Sequence, residues 1–346
     1  MSRPLARVAL AVGALVATLG MSGCGGDTQA ASAAPLVVRV GYFPNVTHAT
    51  GIAADKEGFF AKYLGKTKLV VSTFNAGPDA IEALKSGALD ATYVGPGPAT
   101  TAFINSGGQA LTVVAGAATG GTSLVVDPSI KSATDLRGKK VSTPQLGNTQ
   151  DIALRYWLKQ KGLKTDLQGG GDVSVFPQAN AQIVSAFKQK LIAGAWVPEP
   201  YATQLVRAGG KVLVDERDLW PAKKFAITVL AVRTDFLKAH PQTVTALLSG
   251  DLDASDFIAK APAKSQKDVG DVIAKISGKP VKAAVTATAW KQLAFTVDPV
   301  ASSLLTGAQH AYQVGVLKNE PKLDGLVNLA LLNQLLKERG RPVITP

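Results

Sequence analysis

The sequence predicts an α/β protein of two lobes. Three observations lead there. Short apolar, β-branched runs alternate with helical patterns from residue 37 to residue 233. The alternation comes in two successive sets, divided at Asp127. After Arg233 the pattern turns mainly helical, as expected of a chain that leaves one lobe, builds a second and returns to the first.

In the first set, strands are expected at 37–42, 68–74, 91–94, 111–116 and 122–126, with helices at 48–63, 78–85 and 98–105. Gly65, Gly87 and the Gly107-Gly108 pair stop these helices. The succession reads as right-handed βαβ units. In the second set a helical turn at 135–140 leads to strands at 140–142, 173–176, 192–196 and 211–215. Helices are expected at 149–160, 181–190 and 201–208, and the glycine-rich stretch 168–172 is a loop. One more apolar run, 227–233, precedes helices at 243–257, 281–295, 299–314 and 325–337. Extended segments at 125–128 and 224–230 join the lobes. The predicted divisions are a signal peptide at 1–23, a linker at 24–35, the first lobe at 36–126 and 224–346, and the second lobe at 127–223.

Arg3 and Arg7 precede an apolar run at 8–20, followed by Met21-Ser22-Gly23-Cys24. A basic start, a short apolar core and small residues before a cut are the marks of a secretory signal. The run falls short of the ~20 residues that cross a membrane. The segment resembles a lipobox, with Met21 where Leu is usual. Cys24 is then the lipidated first residue, holding the protein on the outer face of a cell membrane.

The composition excludes several classes. Hydrophobic residues are 46% and charged residues 18%, which favours a large core over disorder. With a single cysteine there is no internal disulfide, and His48, His240 and His310 are too scattered to suggest a metal site. No cofactor is expected. The formal charge is +12, but the lysines are dispersed and no aromatic–basic platform stands out, so nucleic acid is not expected as a partner. A basic exported protein suits an anionic membrane surface or an anionic solute. No nucleophile with a positioned base is evident, so an enzyme is not expected.

The motifs narrow this further. Val40-Gly41-Tyr42-Phe43-Pro44-Asn45, Ala54-Asp55-Lys56-Glu57-Gly58-Phe59-Phe60, Gly77-Pro78-Asp79-Ala80-Ile81-Glu82-Ala83-Leu84, Gly87-Ala88-Leu89-Asp90-Ala91-Thr92-Tyr93-Val94-Gly95 and Asp135-Leu136-Arg137-Gly138-Lys139-Lys140-Val141 follow one another in fixed order. Together with the helical tail after Phe295, they resemble the substrate-binding proteins of ABC importers, in the branch for sulfonates, taurine, nitrate and thiamine-precursor pyrimidines. The resemblance implies a type II periplasmic-binding fold, a monomer that closes by a hinge on its solute, and an ABC permease as partner. The pyrimidine-synthase relatives of that fold lean on His and Cys residues that this chain lacks.

Ligands of such sheets sit beyond the carboxyl ends of strands. That rule selects Tyr42, Asn45 and His48 after the first strand, although Asn45 also suits a helix cap and His48 the same loop. Gly95 and Pro96 follow the third strand and allow close backbone approach. Thr122 and Ser123 lie near the first crossover. Gly147, Asn148 and Thr149 open a helix whose free N–H groups and dipole suit an anion, and the resemblance places the anionic head of the solute there. Gln178 and Asn180 follow another strand. Trp196 and Glu199 complete the set, Trp196 for stacking or for the core and Glu199 for a solute amine or the dipole of the next helix. The expected solute is a small organic anion, an alkanesulfonate or a taurine-like molecule. Nitrate or another oxyanion, a pyrimidine precursor, and a signalling lipoprotein on the same fold are the alternatives.

Overall fold

The computed structural model describes residues 36–345; Cys24 and the signal and linker segments lie outside the described residues. The first lobe opens with β1 (Val37–Tyr42), α1 (Ala49–Lys56), α2 (Phe59–Leu64), β2 (Lys68–Thr73), α3 (Gly77–Lys85), β3 (Ala91–Val94), α4 (Pro96–Asn105) and β4 (Leu111–Gly120). The second contains β5 (Thr122–Val126), β6 (Lys140–Thr143), α5 (Thr149–Gln160), β7 (Ser174–Pro177), α6 (Asn180–Lys188), β8 (Gly194–Pro198), α7 (Tyr201–Arg207) and β9 (Lys211–Asp215). The chain returns through β10 (Ala226–Arg233), α8 (Thr234–Ala239), α9 (Pro241–Lys260), α10 (Pro262–Ser277), α11 (Ala283–Trp290), β11 (Leu293–Phe295), α12 (Ala301–Gln313) and α13 (Ala330–Glu338).

The two sheets share one plan. Their strand orders are β2-β1-β3-β10-β4-β11 and β7-β6-β8-β5-β9. In each, three parallel strands are followed by one antiparallel strand that arrives from the other side of a crossover, β10 in the first sheet and β5 in the second. The central strands are buried along nearly their whole length, β4 and β10 above all, which is why they read as continuous Val- and Ala-rich runs. Helices cover both faces of each sheet. In the first lobe Val40, Ile52, Leu248 and Leu332 form one core and Leu84, Phe103 and Val113 the other. In the second, Leu124, Val141, Trp157 and Trp196 oppose Ile183, Val197 and Leu205.

Several expectations change. Residues 48–63 are two helices, because Gly58 takes a left-handed φ of 74° and redirects the chain. The strand at 122–126 pairs with β8 and β9, so it belongs to the second sheet, and the first crossover lies at Gly120-Gly121 rather than at 125–128. The βαβ succession of the first half is interrupted by β10, which enters antiparallel between β3 and β4. Within 281–295 the helix ends at Trp290, and Leu293–Phe295 instead pairs with the end of β4. The helix α10 was not singled out by the sequence. Among the described residues no helix is long and apolar enough to cross a membrane.

Candidate functional site

Six strand ends converge on one cavity. The loops after β1, β2 and β3 supply Asn45, Asn75 and Gly95 from the first lobe; those after β6 and β7 supply Pro144, Asn148 and Asn180, and β8 ends there with Pro198. The cavity is small, about 20 Å³. Hydrogen bonds join the lobes around it. The Val46 amide donates to Glu199 O (3.0 Å), and the Asn180 amide to Asn75 Oδ1 (3.2 Å). Asn75 Nδ2 donates to Pro144 O (3.2 Å), and the Gly97 amide to Thr149 Oγ1 (3.2 Å). The lobes are therefore closed upon the cavity.

Among the described residues the lining carries no lysine, arginine or carboxylate. Its polarity comes from neutral side chains and helix starts. Helices α3, α4, α5 and α6 all begin at this cavity, through Gly77, Gly95, Thr149 and Asn180. First-turn amides lack intrahelical partners and sit at the positive end of each dipole; α4 contributes its dipole alone, because Pro96 and Pro98 have no N–H and the Gly97 amide is already given to Thr149. Phe43, Pro98, Pro198 and Ile227 give it apolar walls.

The α5 start is held from beneath. Asn148 accepts from the Asp151 amide (2.8 Å), the N-cap bond the sequence allows. Asp151 is fully buried; its carboxylate accepts from Thr143 Oγ1 (2.9 Å), from the Gly147 amide (3.0 Å) and from Arg155 Nε (2.9 Å). One carboxylate thus ties the strand end, the loop and the helix together.

His48 is buried, and its Nδ1 accepts the Phe43 amide (3.3 Å), which leaves Nε2 to carry the ring proton. Burial pushes its pKa down to about 3, so it is a neutral donor at ordinary pH. The carboxamide oxygens of Asn45 and Asn180 have no partner, although both residues are almost fully buried at the cavity. Asn45 does not cap its helix with its side chain, so its carboxamide is available to a solute.

Of the predicted residues, Asn45, His48, Gly95, Asn148, Thr149 and Asn180 line the cavity. The others lie elsewhere. Tyr42 is turned into the core and donates to Asp55 Oδ2 (2.8 Å). Pro96 borders a neighbouring apolar space beside Trp220. Thr122 is buried in β5, and Ser123 faces a separate hollow with Thr288 and Gln292. Gly147 supports the loop from outside, and Gln178 Nε2 donates to Ser142 Oγ (2.8 Å). Trp196 is core, its indole donating to Glu216 Oε2 (2.7 Å). Phe43, Asn75, Gln150 and Pro198 line the cavity without having been selected. Asn75 was findable by the rule that selected Asn45, since it stands between a strand end and a Gly-Pro helix start.

Glu199 faces the same hollow as Ser123, and its carboxylate folds back onto its own helix, accepting from the Thr203 amide and hydroxyl (both 3.0 Å). Burial pushes its pKa up from 4.5 to about 7. A carboxyl raised on folding contributes stability at low pH that is lost as pH rises through the folded value. The uncharged Glu199→Gln variant is therefore expected to gain on wild type by about 3 kcal/mol between pH 4.5 and pH 8. Chemical denaturation of both proteins across that range checks it, with solute affinity unchanged.

The fold and the cavity define a two-lobed solute-binding protein. The chain belongs to the NMT1-like family, whose model matches residues 32–277. It is 31% identical to a Brucella abortus binding protein over 66% of this chain and 69% of that one. It is 27% identical to the taurine-binding periplasmic protein of Escherichia coli, over 80% of this chain and 84% of that one. The periplasmic nitrate-binding protein NrtA of Synechocystis PCC 6803 superposes with a TM-score of 0.75, at 18% identity over 88% of this chain and 89% of that one.

Proposed function

We propose that the chain is the extracytoplasmic solute receptor of an ABC importer, and that it takes a short alkanesulfonate between its lobes. The observation that carries this is the convergence of four helix starts and neutral donors on a small cavity free of charged side chains. Such a site holds a small anion by fixed dipoles and gives it up again without breaking an ion pair. The apolar walls favour an anion bearing a short alkyl stub over a bare oxyanion, and the taurine-binding relative supports a sulfonate head. If the solute bears an amine, the free oxygens of Asn45 and Asn180 would receive it in place of Glu199. Solute contact with both lobes favours the closed form, which the permease would then read.

A thermal-shift panel on the protein beginning at residue 25 tests the reading, with ethanesulfonate, taurine, nitrate, sulfate and a pyrimidine precursor. Ethanesulfonate or taurine at 100 times its Kd should add about 2.7 kcal/mol to stability. A shift with nitrate alone would transfer the site to small oxyanions. Anchoring through Cys24 belongs to the same proposal: Cys24→Ala should move the protein from the membrane fraction to the soluble one.

A further inference from the structure

A larger hollow lies away from the solute cavity. It offers about 480 Å³ between α6 and α7 of the second lobe and the end of α10, the following turn and the start of α11 of the first. Its floor is apolar, with Val184, Ile273, Val281 and Val285. Lys188, Arg207, Lys279 and Lys282 stand around it, all exposed, and among the described residues no acidic one lines it. None of these four cations takes part in an ion pair among the described residues. Arg207 instead reaches across the lobes to Ala284 O (3.4 Å).

We propose that this groove docks an acidic, amphipathic segment of the permease, and does so only when the lobes are closed. The charge requires an acidic partner. The apolar floor between the cations requires a side chain inserted among them, which a flat charged surface does not supply. Because each lobe provides one wall, opening the lobes pulls the walls apart, and a partner seated there favours closure. Linkage makes the effect reciprocal: solute strengthens docking, and docking strengthens solute binding. The inference rests on the importer reading above.

The test combines Lys188→Glu, Arg207→Glu, Lys279→Glu and Lys282→Glu in the full chain. Uptake of ethanesulfonate by cells carrying the native importer should fall at least about tenfold, because reversed rim charges oppose encounter. Ethanesulfonate should still raise the melting temperature of the purified variant as it does that of wild type. Unchanged uptake overturns the proposal, and so does loss of the thermal shift, which would make the groove part of the solute path. A photo-crosslinker at Lys282, in membranes, supplies a readout that does not depend on the identity of the solute. Crosslinking to the membrane-spanning subunit that rises with added solute supports the groove as the dock, and its absence overturns it. Binding to anionic vesicles that depends on the same four residues would assign the groove to a lipid surface and overturn it too. Failure of the importer reading is separable: wild type would then show neither uptake nor a thermal shift.

Discussion

Asp151→Ala is expected to destabilise the protein by about 3–5 kcal/mol and to abolish solute binding. Arg155 is 1% exposed and Asp151 0%, so removing the carboxylate leaves a guanidinium buried without its counter-charge. The same change releases Thr143 Oγ1 and the Gly147 amide, both of which the carboxylate holds. The loop that sets the α5 start against the cavity then loses its anchor. The two consequences separate in the double variant Asp151→Ala with Arg155→Leu. Replacing both partners removes the stranded charge, so most of the stability should return. The loop remains untethered, so binding should not. Urea denaturation and calorimetric titration on the three proteins check both halves. Recovery of binding in the double variant would show that Asp151 acts only through the ion pair.

Gly97→Val should reduce solute affinity by about 100-fold with little change in the stability of the solute-free protein. A Cβ at this position would lie 2.8 Å from Ile152 Cδ1 and 3.1 Å from Thr149 Cα, both across the lobe interface. The second contact is backbone, which cannot rotate aside. Open lobes accommodate the valine, so the cost falls on closure. Gly97→Ala should fall between wild type and valine. Small-angle scattering with and without solute distinguishes this from local damage: wild type should contract on binding and the valine variant should not.

The sequence showed the strand ends well and the side-chain directions poorly. Strands bounded by Gly, Pro and Asn announced themselves, and the rule of ligands beyond carboxyl ends found Asn45, His48, Asn148 and Asn180. It failed where position along the strand or a local bond decided whether a side chain reached the cavity. Trp196 and Pro198 share a strand, but only Pro198 reaches the cavity, and the indole of Trp196 is committed to Glu216. Glu199 was offered both to a solute amine and to the dipole of the next helix; its carboxylate is taken up by Thr203, four residues on, at that helix start. Asp151 and Arg155 have the spacing of an ordinary surface pair, and nothing in the sequence tells that both are buried. The placement of β10 between β3 and β4 is a long-range pairing, which local patterning does not encode.

The most direct test of the site is a calorimetric titration with ethanesulfonate and with ethyl methyl sulfone, a neutral molecule of nearly the same shape. If helix starts and neutral donors hold the negative charge, ethanesulfonate binds one to one and the sulfone binds at least 100-fold more weakly. His48 stays neutral down to about pH 3 and, among the described residues, no other titratable side chain lines the cavity, so the sulfonate affinity should be flat from pH 5 to pH 8. Equal binding of the two molecules would contradict the account, because the cavity would then be recognising shape and not charge.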